Sequence, residues 1–130
     1  MQYIEAEEIL LIHHQLIERY GGSHGTRNLS RIESVVLAPS QHVYGDEQYK
    51  TIFEKAAVYA RNIIADHPFY DGNKRTGITT TAMFLEKNGY CLKAKKGEIE
   101  NFAVEIAISK LSINDIARWL ETHTTKASER

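Results

Sequence analysis

Between residues 67 and 77 the chain reads His-Pro-Phe-Tyr-Asp-Gly-Asn-Lys-Arg-Thr-Gly, gathering an imidazole, a carboxylate, an amide and two cations. A connection between helices needs only a proline, a glycine and something polar, so this concentration asks for a chemical reason. Apolar residues recur at helical spacing on both sides, which places the stretch where one helix has ended and the next begins. A helix start exposes unpaired backbone N–H groups and a partial positive charge, and so attracts anions. Gly72 lets the backbone approach a bulky group with no Cβ in the way. Asn73 can donate from its amide, and Lys74 and Arg75 bring full charges to the same end. Cations in a first helical turn oppose the helix dipole, and a bound phosphate would resolve the conflict. Asp71 adds a hard oxygen ligand suited to Mg²⁺, which needs only one or two carboxylates beside phosphate oxygens and water. His67, held by Pro68 and Phe69 at the rim, can take a proton from an attacking hydroxyl near neutral pH. Together these residues predict a phosphoryl or nucleotidyl transfer site. The plainer alternative is an Asp-Gly turn with Asp71 as a helix cap; it leaves His67, Asn73, Lys74 and Arg75 unexplained. Lys74 taken alone reads as a solvated surface charge.

The elements that must position this stretch read as helices. In EEILLIHHQLIERYGG, the residues Ile9, Ile12, Leu16 and Tyr20 share one stripe, and Gly21 and Gly22 supply a stop. RNLSRIESVVLAPS predicts a short second helix capped by Asn28 or Ser30 and closed by Pro39. SQHVYGDEQY is polar and reads as a loop or a very small hairpin. KTIFEKAAVYARNIIADH leaves little polar face and belongs in the middle of a bundle, with Pro68 expected to end it. From Asn73 onward Ile78, Ala82 and Leu85 keep helical spacing up to Asn88–Gly89, although Gly77 and Thr79–Thr81 are poor helix formers. YCLK suggests a short extended piece, and GEIENFAVEIAISK and SINDIARWLETH complete the set, the last capped by Ser112 or Asn114. No repeat or linker interrupts residues 1–130, which predicts one all-α domain, a compact bundle of about six helices. Trp119 reads as core, and Cys91 as a buried structural thiol.

Composition narrows the functions available. A net charge of −1, from 16 basic against 17 acidic residues, gives no platform for direct nucleic-acid binding. The lone cysteine offers no intrachain disulfide, so a reducing compartment, the cytoplasm, is expected. MQYIEAEEIL is acidic and lacks a secretory pattern, and no apolar run approaches the roughly 20 residues that span a bilayer. Adjacent His13 and His14 point about 100° apart on a helix and cannot form an i, i+4 metal pair. Neither a Gly-x-Ser-x-Gly nor a His-Glu-x-x-His motif is present.

HPFYDGNKRTG resembles the signature of the Fic/Doc proteins, and its Lys-Arg-Thr ending is close to the Doc (death-on-curing) toxin branch. ERYGGSHGTRN is similar to the first-helix end and loop of Doc-type toxins, Phe53–Glu54 stand at the family's spacing from His67, and FLEKNGY resembles the stretch after the motif. The resemblance therefore covers most of residues 5–90. It implies the Fido fold of six or seven helices and transfer of part of ATP to a protein hydroxyl. By position, His67 would be the general base, Asp71 the Mg²⁺ ligand, and Gly72, Asn73 and Arg75, with Lys74, the phosphate cradle. AMP-transferring relatives carry glycine where Lys74 stands and a second arginine where Ile78 stands. Both departures imply the Doc branch, a kinase that phosphorylates a threonine of elongation factor Tu and stops translation. A lysine in the cradle would favour the nucleotide the other way round, its γ-phosphate facing His67. The Doc branch carries alanine in place of Gly72.

Three further expectations follow from the resemblance. Glu54 is expected to be a buried acid that supports the motif loop through hydrogen bonds, and Phe69 is expected in a supporting role as well. Tyr44 and Gly45 lie where the family has a flap that pairs with the target peptide, though a plain exposed loop fits the same residues. The family's inhibitory helix has its nearest match at Thr125–Glu129, which lacks the final Gly or Asn and reads as a frayed tail. Restraint would then come from a Phd-like antitoxin whose disordered tail folds onto the toxin. AMP transfer, and a non-catalytic phosphate- or partner-binding module, remain the alternatives.

Overall fold

The computed structural model describes residues 1–127. In chain order they form α1 (Ala6–Tyr20), α2 (Leu29–Leu37), a 3₁₀ turn (Ala38–Ser40), β1 (His42–Val43), β2 (Asp46–Glu47), α3 (Ile52–Ile64), α4 (Asn73–Lys87), β3 (Tyr90–Leu92), α5 (Lys96–Ala107), α6 (Ile113–Thr122) and β4 (Thr124–Lys126). This is the expected helical bundle, with two small antiparallel strand pairs.

The segment with the least polar face lies at the centre. Along α3, Ala56, Ala57, Val58, Tyr59, Ala60, Ile63 and Ile64 are all buried, with α4 and α6 packed most extensively against it. A Thr51–Glu54 capping box opens the helix. It ends at Ile64, before Pro68 is reached. The poor helix formers of α4 have tertiary reasons. A Cβ on Gly77 would lie 2.5 Å from Ile64 Cγ1, so only glycine lets α4 approach α3 this closely. Thr80 and Thr81 are buried, and the Thr81 hydroxyl donates to the Gly77 carbonyl at 2.7 Å. Packing outweighs intrinsic propensity here.

The other boundaries match their sequence signals. Asn28 caps α2 by accepting from the Ser30 N–H, Ser112 caps α6, and Gly21 closes α1 at φ 88. The polar stretch after α2 is a hairpin, with His42 paired to Glu47 and Val43 to Asp46. Its turn places Tyr44 at φ 51 and Gly45 at φ 85, the left-handed pair of a two-residue hairpin turn. Two expectations need correction. The segment around Thr125 is not a frayed end: Thr124, Thr125 and Lys126 pair with Leu92, Cys91 and Tyr90, and Glu129 lies outside the described residues. Cys91 is half-buried in that pair rather than sealed in the core. Trp119 is also half-buried, stacked 3.8 Å from both Phe102 and His123. Among the described residues no helix is long and apolar enough to cross a membrane.

Candidate active site

The stretch from Ala65 to Gly72 joins the end of α3 to the start of α4 and is pinned from several sides. Asn73, at the first position of α4, is buried. Its Oδ1 accepts the Phe69 N–H at 3.0 Å and its Nδ2 donates to the Phe69 carbonyl at 2.9 Å. The Asn73 side-chain amide thus folds the loop back on itself, while its backbone N–H stays at the helix mouth. Phe69 is buried, and its ring stacks on His13 of α1 with centroids 3.7 Å apart and planes 5° off parallel. His13 Nε2 lies 2.8 Å from the Asp71 carbonyl oxygen, which can only accept, so Nε2 carries the proton. Burial holds the His13 pKa below its ordinary value against the opposing pull of that hydrogen bond.

The loop after α1 closes the other side. The Arg27 N–H donates to the Pro68 carbonyl at 2.8 Å and the Tyr70 N–H to the Gly25 carbonyl at 3.3 Å, around a bridge between Thr26 and Phe69. Asp71 Oδ2 accepts the Ser23 N–H at 3.1 Å and Oδ1 the Gly72 N–H at 2.9 Å. Gly22, at φ 117, sits so close that a Cβ there would collide with the Asp71 carboxylate. Each carboxylate oxygen keeps a second lone pair.

His67 is exposed and adopts φ 50, a left-handed conformation that costs a non-glycine residue of order 1–3 kcal/mol. Its Nδ1 lies 2.9 Å from the Ala65 carbonyl. That oxygen accepts only, so Nδ1 carries the hydrogen and Nε2 keeps its lone pair. From α2, Arg31 Nη1 donates to the carbonyls of Asp66 and His67 at 2.8 and 3.4 Å.

At the mouth of α4, Gly72 has φ 76 and provides no side-chain cap. The first intrahelical bond runs from the Thr76 N–H to the Gly72 carbonyl, which leaves the N–H groups of Asn73, Lys74 and Arg75 directed out of the helix end. They face a cavity of about 720 Å³ lined by Asp71, Gly72, Lys74 and Arg75, with Tyr20 on one side and Lys96 of α5 on another. The Arg75 guanidinium lies 4.2 Å from the Tyr20 ring centroid, a cation–π contact that holds it over the opening. His67 does not line this cavity; it stands on the loop four residues before Asp71. Among the described residues no three His, Cys, Asp or Glu side chains converge to hold a metal ion. Asp71 nevertheless fits Mg²⁺, which takes a single carboxylate when phosphate oxygens and water complete its shell.

Glu54, expected as a buried support of the motif loop, is half-buried and bonds elsewhere. Its Oε1 accepts the Thr51 N–H at 3.1 Å, and its own N–H donates to Thr51 Oγ1 at 3.1 Å. It therefore caps the opening end of α3, whereas the motif loop follows the closing end. Tyr44 and Gly45 form the exposed tip of the β1–β2 hairpin. What holds that hairpin is Lys55, only 1% exposed, which donates to Glu47 Oε1 at 2.8 Å and to the Pro39 carbonyl at 3.0 Å. Sequence reasoning missed Lys55, His13 and Arg31. A lysine inside an apolar helical run was a usable signal for the first, since such a charge demands a partner. Nothing local marked the other two.

The Fic/DOC family pattern matches residues 3–85, and the chain belongs to that family. It is 30% identical over 120 residues to a protein of Escherichia phage P1 named protein kinase Doc, covering 92% of this chain and 94% of that one. It is also 28% identical over 121 residues to a protein of Mycolicibacterium smegmatis named toxin Doc, covering 92% of this chain and 91% of that one.

Proposed function

We propose that the chain is a Doc-type toxin that transfers the γ-phosphate of ATP to a hydroxyl of a target protein. The observation carrying this reading is the uncapped start of α4, where Asp71, Gly72, Lys74 and Arg75 line one cavity. The names of the two relatives, a protein kinase and a toxin, support it.

In this reading the N–H groups at the helix mouth and the side chains of Lys74 and Arg75 bind the phosphates. Asp71 would hold Mg²⁺, which would supply charge neutralisation to the transferring phosphate. His67 Nε2 takes the proton of the attacking hydroxyl as its oxygen bonds to the γ-phosphorus and the bond to the β,γ-bridging oxygen breaks, releasing ADP. The Ala65 carbonyl keeps its grip on Nδ1–H and stabilises the imidazolium that forms. A threonine of a translation protein such as elongation factor Tu is the proposed acceptor, and the Tyr44–Gly45 turn a flap that steadies the acceptor peptide. A Phd-like antitoxin in the cytoplasm would restrain the enzyme.

ATP labelled separately at the α and γ positions tests the reading. Label on the target only from the γ position, lost in His67→Ala, is expected. Retention of the α label would replace phosphorylation with AMP transfer. Growth arrest unchanged by His67→Ala would replace catalysis with binding.

A further inference from the structure

We propose that Arg31 is a positioning residue that fixes the tautomer and direction of His67. This rests on the role given to His67 above, but its evidence is geometric. The residue before a proline prefers an extended backbone, yet His67 stands at φ 50. With this reversal the imidazole of residue 67 meets the carbonyl of residue 65, two positions back, at 2.9 Å. The reversal also leaves the Asp66 and His67 carbonyls where one guanidinium nitrogen from α2 meets both, at 2.8 and 3.4 Å. The Asp66 carboxylate does not compete for Arg31, since it faces Arg61 at 3.3 Å. Pro68 is held independently through the Arg27 N–H, so the chain is fixed immediately after the reversal. Arg31 fixes it at the reversal itself.

Without Arg31, residues 66 and 67 are free to relax towards the conformation that proline favours. The ring then leaves the Ala65 carbonyl, and Nδ1–H loses the acceptor that selects it. A base whose lone pair sits on Nε2 becomes a mixture of two tautomers with no fixed direction. Nucleotide binding need not change, because Asp71 is held by His13 and Ser23 and Arg75 lies over Tyr20, none of them on α2. Arg31 is exposed, so its removal should leave the fold intact.

The test uses the full chain, with Arg31→Ala and Arg31→Lys. Nitrogen chemical shifts of His67 should report the Nδ1–H form in the unsubstituted protein and a mixture in Arg31→Ala, with Arg31→Lys in between. Phosphate transfer should fall about tenfold in kcat in Arg31→Ala at an unchanged KM for ATP, the signature of a lost orientation rather than lost binding. Equal tautomer populations in Arg31→Ala and the unsubstituted chain would overturn the proposal. So would a fall in activity matched by an equivalent loss of thermal stability. A protein that transfers no phosphate but shows the tautomer change would sink the kinase reading and support the clamp.

Discussion

The loop at residues 65–72 and the hairpin at 42–47 are both short connections flanking α3, yet they are held in opposite ways. The loop is gripped by His13 from α1, Arg31 from α2, Asn73 from α4 and the backbone at Gly25 and Arg27. The hairpin is tied at its base by Lys55 and by the bond from the Gln48 N–H to the Gln41 carbonyl, while Tyr44 at its tip is fully exposed. A two-stranded hairpin of this size has little stability of its own. The difference matches the roles proposed for them. Groups that move a proton or hold phosphates must be fixed to within a fraction of an ångström, whereas a surface that receives a partner can adapt.

The sharpest way to break the comparison is Asn73→Ala. It strands the Phe69 N–H and carbonyl in a buried site and should cost roughly 3 kcal/mol, read as a shifted denaturant midpoint. The Phe69 amide should also lose hydrogen-exchange protection, with the hairpin amides unaffected. Next comes Gly77→Ala at the seam carrying the loop. The new methyl meets Ile64, and the strain outweighs the gain in helix propensity, a net loss of about 1–2 kcal/mol in the same measurement. On the hairpin side, Lys55→Met keeps most of the buried volume and should cost about 1 kcal/mol globally. Its effect should appear locally, as faster exchange at Gln48.

Acid sharpens the same contrast. Hydrogen bonding to Lys55 holds the Glu47 carboxyl below its ordinary 4.5, so its contribution is present above that value and is lost as pH falls through the lowered one. Hairpin amides should lose protection in that window. Lys55 moves the other way: burial pulls it down, but hydrogen bonds to Glu47 and Tyr3 outweigh burial and leave it raised. The smallest expected effect belongs to His13. Its folded pKa is lowered, so below its unfolded value of 6.5 the unfolded chain binds the proton first and stability falls. His13→Phe should remove that slope between pH 7 and 5 while retaining the stack on Phe69.

Much of this arrangement was legible in the residues. Period and caps marked α1, α2, α3, α4, α5 and α6, and the dense run from His67 to Arg75 marked the place where a helix mouth meets a cavity. What escaped was the set of long-range contacts. The Asn73 side-chain amide reads as free in the sequence and is engaged with Phe69 in the fold. Glu54 reads in the sequence as a support for the motif loop, whereas in the fold its hydrogen bonds go to Thr51, three residues before it. The β3–β4 pairing joins segments more than 30 residues apart, and nothing within either strand names its partner.

That pairing has a practical consequence. Cys91 is the chain's lone thiol and stands opposite Thr125, half-buried between neighbouring strands. Alkylation of it needs an approach that the closed pair restricts, so the pace of labelling is a clock for how often the two strands part. Because β3 begins three residues beyond α4, that clock sits at the far end of the helix from the proposed phosphate-binding mouth, about 22 Å away along the axis. It can run without disturbing the proposed site.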